Sequence, residues 1–164
     1  MSDAAMGFLH VGMKVHDIER ATRFYTAAFG ITWEPVREYQ LSHITLEGDA
    51  APSRTLVTHG KTAEGFEIEM VQGLEGKTAD DLVLDGREGV SHIAFTVDNL
   101  DTAIAEAIER GLRLVSEYRS EQVDFAFFDG DDLGGLLAQL VHFKQPRNNP
   151  SARPTESPGG TPRS

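Results

Sequence analysis

The sequence contains no cysteine, which removes disulfides, thiolate metal sites and a cysteine nucleophile together. A transition-metal site in this chain has only His, Asp, Glu, Gln and water to draw on, a donor set that suits Ni, Co, Mn, Fe or Zn. Cations are scarce: 15 Lys and Arg stand against 26 Asp and Glu, for a formal net charge of −11. Nonspecific nucleic-acid binding needs clustered cations, so that partner class is disfavoured, whereas an anionic small molecule depends on local charge alone. No apolar run approaches the roughly 20 residues of a membrane span. The first six residues lack the basic region and apolar core of a signal peptide. The expectation is a cytoplasmic protein with neither a membrane nor a nucleic-acid partner. There is no Gly-x-Ser-x-Gly elbow and no dinucleotide fingerprint. The glycine-rich loop at 129–135 is acidic and has no lysine for a phosphate.

What is present is an ordinary globular composition, 40% hydrophobic and 25% charged over 164 residues, enough for one domain or two small fused halves. Residues 1–6 read as a loose leader. A β-type run at 8–15 leads to Asp17, an N-cap residue. From Ile18 to Phe29 the residues Ile18, Ala21, Phe24, Tyr25, Ala28 and Phe29 recur at helical spacing as one apolar face, closed by Gly30. Strand patterns follow at 32–38, 39–47, 54–59 and 66–72, the first two readable as one bent strand. Residues 74–88 form a polar connector. The pattern then restarts: a strand at 90–97, a helix at 100–110 capped by Asp98 or Asn99, and strands at 112–119, 123–128 and 136–143. From 144 onward Pro, Asn, Ser, Gly and Arg dominate, a composition that predicts a disordered tail.

The restart is an internal repeat. His10 and His92 lie 82 residues apart, and at the same offset Val15 meets Val97, Ile18 meets Leu100, and Ala21 meets Ala103. The closing strands match at an offset of 70, which lays Gly65-Phe-Glu-Ile-Glu-Met-Val-Gln72 over Gly135-Leu-Leu-Ala-Gln-Leu-Val-His142 and Glu69 over Gln139. A single histidine opening a buried strand is ordinarily a hydrogen-bonded core residue. Two at matched repeat positions, with two oxygen donors at matched closing positions, favour a shared site.

These paired halves resemble the vicinal oxygen chelate superfamily, which includes glyoxalase I, methylmalonyl-CoA epimerase, extradiol dioxygenases and bleomycin-resistance proteins. The resemblance covers about 7–143 and is strongest in His92-Ile-Ala-Phe-Thr-Val-Asp-Asn-Leu-Asp101 and Gly135-Leu-Leu-Ala-Gln-Leu-Val141. It implies an α+β fold: two tandem β-α-β-β-β modules, at 7–73 and 89–143, forming a curved mixed sheet around a metal pocket. It also implies a divalent metal (Ni, Co, Mn, Zn or Fe) held by His10, Glu69, His92 and Gln139, with open positions for two neighbouring oxygens of a small-molecule substrate. Such a set suits Lewis-acid help for proton transfer next to a carbonyl.

The resemblance therefore predicts a metal-dependent isomerase, epimerase or glyoxalase-type lyase, and a possible homodimer. Where relatives commonly carry a glutamate this chain has Gln139, which can ligate through its carbonyl oxygen but cannot take a proton. The base is then expected on the first module's side, as Glu69 or as His43, which falls in an inner strand. His59, at a strand end beside Gly60, is expected to face solvent. Glu67 shares a face with Glu69, so a wet, concave pocket is needed if both point inward. Two other readings remain. One is an Fe(II) extradiol-type dioxygenase using His10, His92 and Glu69. The other is a metal-free drug-binding resistance protein.

Overall fold

A computed structural model describes residues 6–146; the remainder of the expected leader and tail lies outside the described residues. The elements follow the predicted order. β1 (Gly7–Lys14), α1 (Ile18–Phe29), β2 (Thr32–Trp33), β3 (Arg37–Leu41), β4 (Ile44–Leu46), β5 (Asp49–Ala50), β6 (Ser53–Lys61) and β7 (Glu67–Glu75) make up the first module. A short α2 (Asp81–Leu84) interrupts the connector. β8 (Gly89–Thr96), α3 (Leu100–Glu109), β9 (Arg113–Tyr118), β10 (Val123–Asp129) and β11 (Leu137–Phe143) make up the second. Among the described residues, no helix is long and apolar enough to cross a membrane.

All eleven strands join one mixed sheet in the order β2-β6-β7-β1-β8-β11-β10-β9-β4-β5, with β3 also on β6. The two modules meet at the antiparallel β1–β8 pair, and each opening strand takes its own module's closing strand as a parallel neighbour, β7 on β1 and β11 on β8. β3 lies on β6, near one end of the sheet, while β4 lies on β9, near the other. Only Ser42 and His43 separate β3 from β4 in the chain. The three steps from Leu41 to Ile44 reach no more than about 11 Å, so the sheet must curl until its ends approach, and the curl creates the concave face. The predicted bent strand at 32–47 is therefore broken at a bend and divided between the two modules.

The helices pack on the convex side. Asp17 caps α1 by accepting from the Arg20 amide, and Gly30 closes it with φ at 68°. Asn99 caps α3 by accepting from the Thr102 amide, which settles the choice between Asp98 and Asn99. α3 buries Leu100, Ala103 and Ala107 against Ala126, Phe128 and Leu140. α1 departs from expectation: Ile18 alone of its stripe is fully buried, against Val36, Leu56 and Met70. Phe24 and Phe29 are 62% and 64% exposed. The apolar stripe is longer than the surface beneath it, and the outer rings pack edge to face on one another and on Tyr25 instead.

At the end of β11 a half-exposed ion cluster forms around the buried Asp124. Asp124 accepts from Lys144 Nζ (2.8 Å), the Ser120 amide (3.1 Å) and Arg119 Nη1 (3.4 Å). Burial pushes its pKa up, but Lys144, Ser120 and Arg119 outweigh burial and hold it below the ordinary value. The unfolded chain therefore binds this proton more readily, and the contribution is complete above about pH 4 and lost as pH falls through the depressed folded value. Asp124→Asn is expected to lower stability at neutral pH and to flatten the acid limb below about pH 4, which urea melts at pH 2.5 to 7 will read.

Candidate metal centre

Strand register brings the predicted residues together. β7, β1 and β8 lie side by side with Glu69 opposite Gly12 and Gly12 opposite His92. β1, β8 and β11 lie side by side with His10 opposite Ala94 and Ala94 opposite Gln139. The two rows are copies of one another under the repeat, each with a small residue on its middle strand. Residues opposed across a sheet project from the same face, so each row aims a histidine and an oxygen donor over a gap left by glycine or alanine. At Gly12 the gap is needed: a Cβ there would fall 1.9 Å from His92 Cε1 and 2.1 Å from His92 Nε2.

His10 Nε2 and His92 Nε2 are 3.3 Å apart. Glu69 Oε1 is 3.5 Å from His92 Nε2 and 3.8 Å from His10 Nε2. Ligand atoms about 2.0–2.1 Å from a common ion stand about 3.0–3.4 Å from one another, close to this triangle. Gln139 is buried on the same cleft, and its Oε1 has no hydrogen-bond partner. A buried amide oxygen left unpaired costs free energy, and a cation would satisfy it. The donor set thus fits a divalent ion, with two imidazoles, a carboxylate and an orphaned amide oxygen.

Two further residues join the cluster, and one predicted residue does not. His59, expected at the surface, lies opposite Glu69 across the β6–β7 pair, and its Nε2 is 2.9 Å from Glu69 Oε2. His10, His59 and Glu69 also offer one donor atom each within 4.8 Å of one another. Asp80 comes from the connector. It is 5% exposed, and its Oδ1 lies 3.3 Å from His92 Nδ1 and accepts a very short hydrogen bond from Ser91 Oγ. Its Oδ2 accepts from Thr78 Oγ1 at 3.1 Å. A carboxylate on the far nitrogen of a ligating imidazole fixes its tautomer and orientation. His43, by contrast, is exposed in the bend between β3 and β4 and is absent from the cleft lining. The bend replaces the inner strand the sequence suggested. Glu67 does share the inner face with Glu69; its Oε1 is 3.7 Å from His10 Nδ1, beyond hydrogen-bond range.

Burial is the largest influence at His10, Glu69, Asp80 and His92, and the partners decide which of these resist it. Burial wins at His10, whose pKa is lowered despite Glu69 and Glu67. At His92 burial pulls down, but the Asp80 and Glu69 carboxylates prevail and raise its pKa to about 9. Burial pushes Glu69 up, yet the imidazoles of His10, His59 and His92 hold it well below the usual carboxylate range. Asp80 is likewise lowered, by His92 and Ser91, against its burial. The ionised Glu69 therefore accepts the hydrogen bond that His59 Nε2–H donates.

The cleft around this cluster and the open space at its mouth together amount to about 1040 Å³. Its two walls differ. β6 and β7 present Ser53, Thr55, His59, Glu67 and Glu69 beside Val57 and Val71, whereas β10 and β11 present Val123, Phe125, Phe127, Val141 and Phe143 beside Gln139. The matched rows show where the symmetry ends: His59 extends the row through Glu69, but Phe127 extends the row through Gln139.

A curled sheet of paired modules, with four convergent donors on its concave face, is a protein built around a pocket able to hold a metal. The chain belongs to the Glyoxalase/Bleomycin resistance protein/Dioxygenase superfamily, whose family model matches residues 9–127. Members of that superfamily are mostly enzymes and typically bind a divalent metal. The chain is 27% identical over 128 residues to a lactoylglutathione lyase of Schizosaccharomyces pombe, an alignment that covers 71% of this chain and 42% of the relative. It thus spans less than half of that protein's length. In fold it is similar to methylmalonyl-CoA epimerase from Mycobacterium tuberculosis (TM-score 0.58, 23% identity, 88% of this chain and 93% of that one). It is also similar to a variant of 4-hydroxymandelate synthase from Streptomyces coelicolor (TM-score 0.59, 14% identity, 88% and 50%).

Proposed function

We propose that the protein is a divalent-metal-dependent isomerase or lyase that moves a proton next to a carbonyl of a small substrate. The observation that carries this reading is the triangle of His10 Nε2, His92 Nε2 and Glu69 Oε1 beside the orphaned Gln139 Oε1. His10, Glu69, His92 and Gln139 would hold the metal, which supplies Lewis-acid stabilisation of charge developing on a carbonyl oxygen.

The chain's own residues divide the remaining work. Glu69 Oε2 accepts from His59 Nε2–H and so fixes that ring on the wall of the cleft. This is the logic by which a carboxylate orients a histidine base. His59 takes the proton from the carbon next to the carbonyl and returns it. Gln139 and Phe127, on the opposite side, can do neither. Proton removal and return therefore occur on one face of the substrate, which favours isomerisation or a glyoxalase-type rearrangement over epimerisation with two opposed bases. Proton transfer by a positioned base is worth about 10²–10⁴-fold. His59→Gln keeps a donor for Glu69 but has no basic nitrogen. It is expected to slow solvent-deuterium exchange into the CH₂ group of 2-hydroxyacetophenone by about 10²-fold or more while the metal still binds. An unchanged exchange rate would remove His59 from this role.

His10, His92 and Glu69 are also two histidines and one carboxylate, the donor set of non-haem Fe(II) oxygenases, and this composition favours a dioxygenase as the second reading. Oxygen uptake by Fe(II)-loaded protein supplied with a catechol, without proton exchange into 2-hydroxyacetophenone, would select it.

A further inference from the structure

We infer that the substrate of this site is an uncharged molecule with an aromatic or branched aliphatic group directly beside its two chelating oxygens. This rests on the metal-centred reading above and narrows it. Among the described residues that line the cleft, the charged side chains are carboxyl groups or histidines: Glu67, Glu69 and Asp80, with no lysine or arginine. Lys14, buried nearby, is committed to Asp81. A bound divalent ion would be offset by the carboxylates of Glu69 and Asp80, which stand on either side of the His92 ring. A substrate carboxylate or phosphate would then face the further carboxylate of Glu67 with no lysine or arginine in the lining to pair with. A buried charge without a partner is strongly disfavoured.

The apolar wall begins at the metal cluster itself. The Phe127 ring stands edge to face with His92, centroids 5.1 Å apart, and Phe125 continues the wall 5.8 Å further along. Tyr118 stacks behind Phe125 at 4.9 Å and holds it in place. An apolar group attached at the oxygen-bearing carbons meets these rings at once, whereas a polar chain at that point would be desolvated without partners. On the opposite wall Ser53 Oγ is buried and has no hydrogen-bond partner, which suits a neutral hydroxyl or carbonyl of the same ligand. Substrates carrying several carboxylates or phosphates beside the reacting carbons do not match this lining.

The test is calorimetric titration of 2-hydroxyacetophenone and of its 4-carboxylate analogue into Co(II)-loaded and metal-free protein at pH 7.5. The uncharged ketone is expected to bind at least about tenfold more tightly than the carboxylate in both forms, since like charges a few ångströms apart in a partly buried site are worth at least that factor. Glu67→Gln, nearly isosteric, is expected to narrow the gap by about threefold or more through the carboxylate analogue alone. If the carboxylate binds equally or better, or if neither compound binds either form, the inference is overturned. If the ketone is preferred but Co(II) changes the affinity of neither compound, the substrate class stands and the metal-centred reading fails.

Discussion

Gly12→Ala is expected to abolish metal binding although it changes no ligand. The added methyl carbon would lie within 1.9–2.5 Å of three atoms of the His92 ring, far inside van der Waals contact. The ring cannot swing away cheaply. His92 is 1% exposed, its Nδ1 lies 3.0 Å from Ser91 Oγ and 3.3 Å from Asp80 Oδ1, and Phe127 stands against its face. Forcing extra volume into such a site costs about 1–3 kcal/mol. Metal affinity should fall at least as far as the roughly 100-fold that milder disturbances around a ligand produce. Gly73→Ala is the control: a Cβ there meets the end of Lys14 at an ordinary 3.8 Å, so the metal isotherm should be unchanged. If Gly12→Ala binds metal like the parent, His92 does not occupy the position the structure gives it.

Asp80→Ala should be the most destabilising substitution in the connector. It strips the carboxylate from His92, Ser91 and Thr78 in a cluster closed to solvent. Removing one partner of a buried pair costs about 3–5 kcal/mol, because the other is left uncompensated. Asp80→Asn separates stability from metal binding. The amide keeps an acceptor for Ser91 and should recover much of the stability, but it loses the charge that orients the ligating ring, so metal affinity should remain about 10–100-fold below the parent. Thermal melts give the first effect and metal titration the second. If Asp80→Asn binds metal at full affinity, Asp80 serves the fold alone.

The repeat made half of this site readable in advance. His10 and His92 share one offset, Glu69 and Gln139 share another, and strand pairing turns those offsets into two matched rows. The same offset of 82 carries Gly12 onto Ala94, so a His-x-small pattern in both opening strands was a further signal of side chains crossing over the middle strand. The residues missed are those outside the symmetry. His59 lies where the first module is longer than the second, and its true counterpart across the sheet, Phe127, has different chemistry. Asp80 belongs to the connector, which has no counterpart at all. Its local signal was Thr78-Ala-Asp-Asp81, in which the Asp81 carboxylate reaches back to the Thr78 amide at 3.0 Å, the geometry of a helix start. His43 was misplaced because the strand ends at Leu41, two residues before it, and loss of strand phase in the bend sends a side chain to the other face. The α1 stripe shows that amphipathic spacing identifies a helix without saying how much of its apolar face is covered.

We propose that His10, Glu69, His92 and Gln139 hold one divalent metal. Calorimetric titration of the purified, chelator-stripped protein with Co(II), Ni(II), Zn(II) and Mn(II), beside the His10→Ala/His92→Ala double variant, tests it most directly. The structure predicts one ion per chain at micromolar affinity or better for at least one of these metals, and none in the double variant if that variant still melts cooperatively. Absence of binding by the parent, or equal binding by a folded double variant, would contradict it.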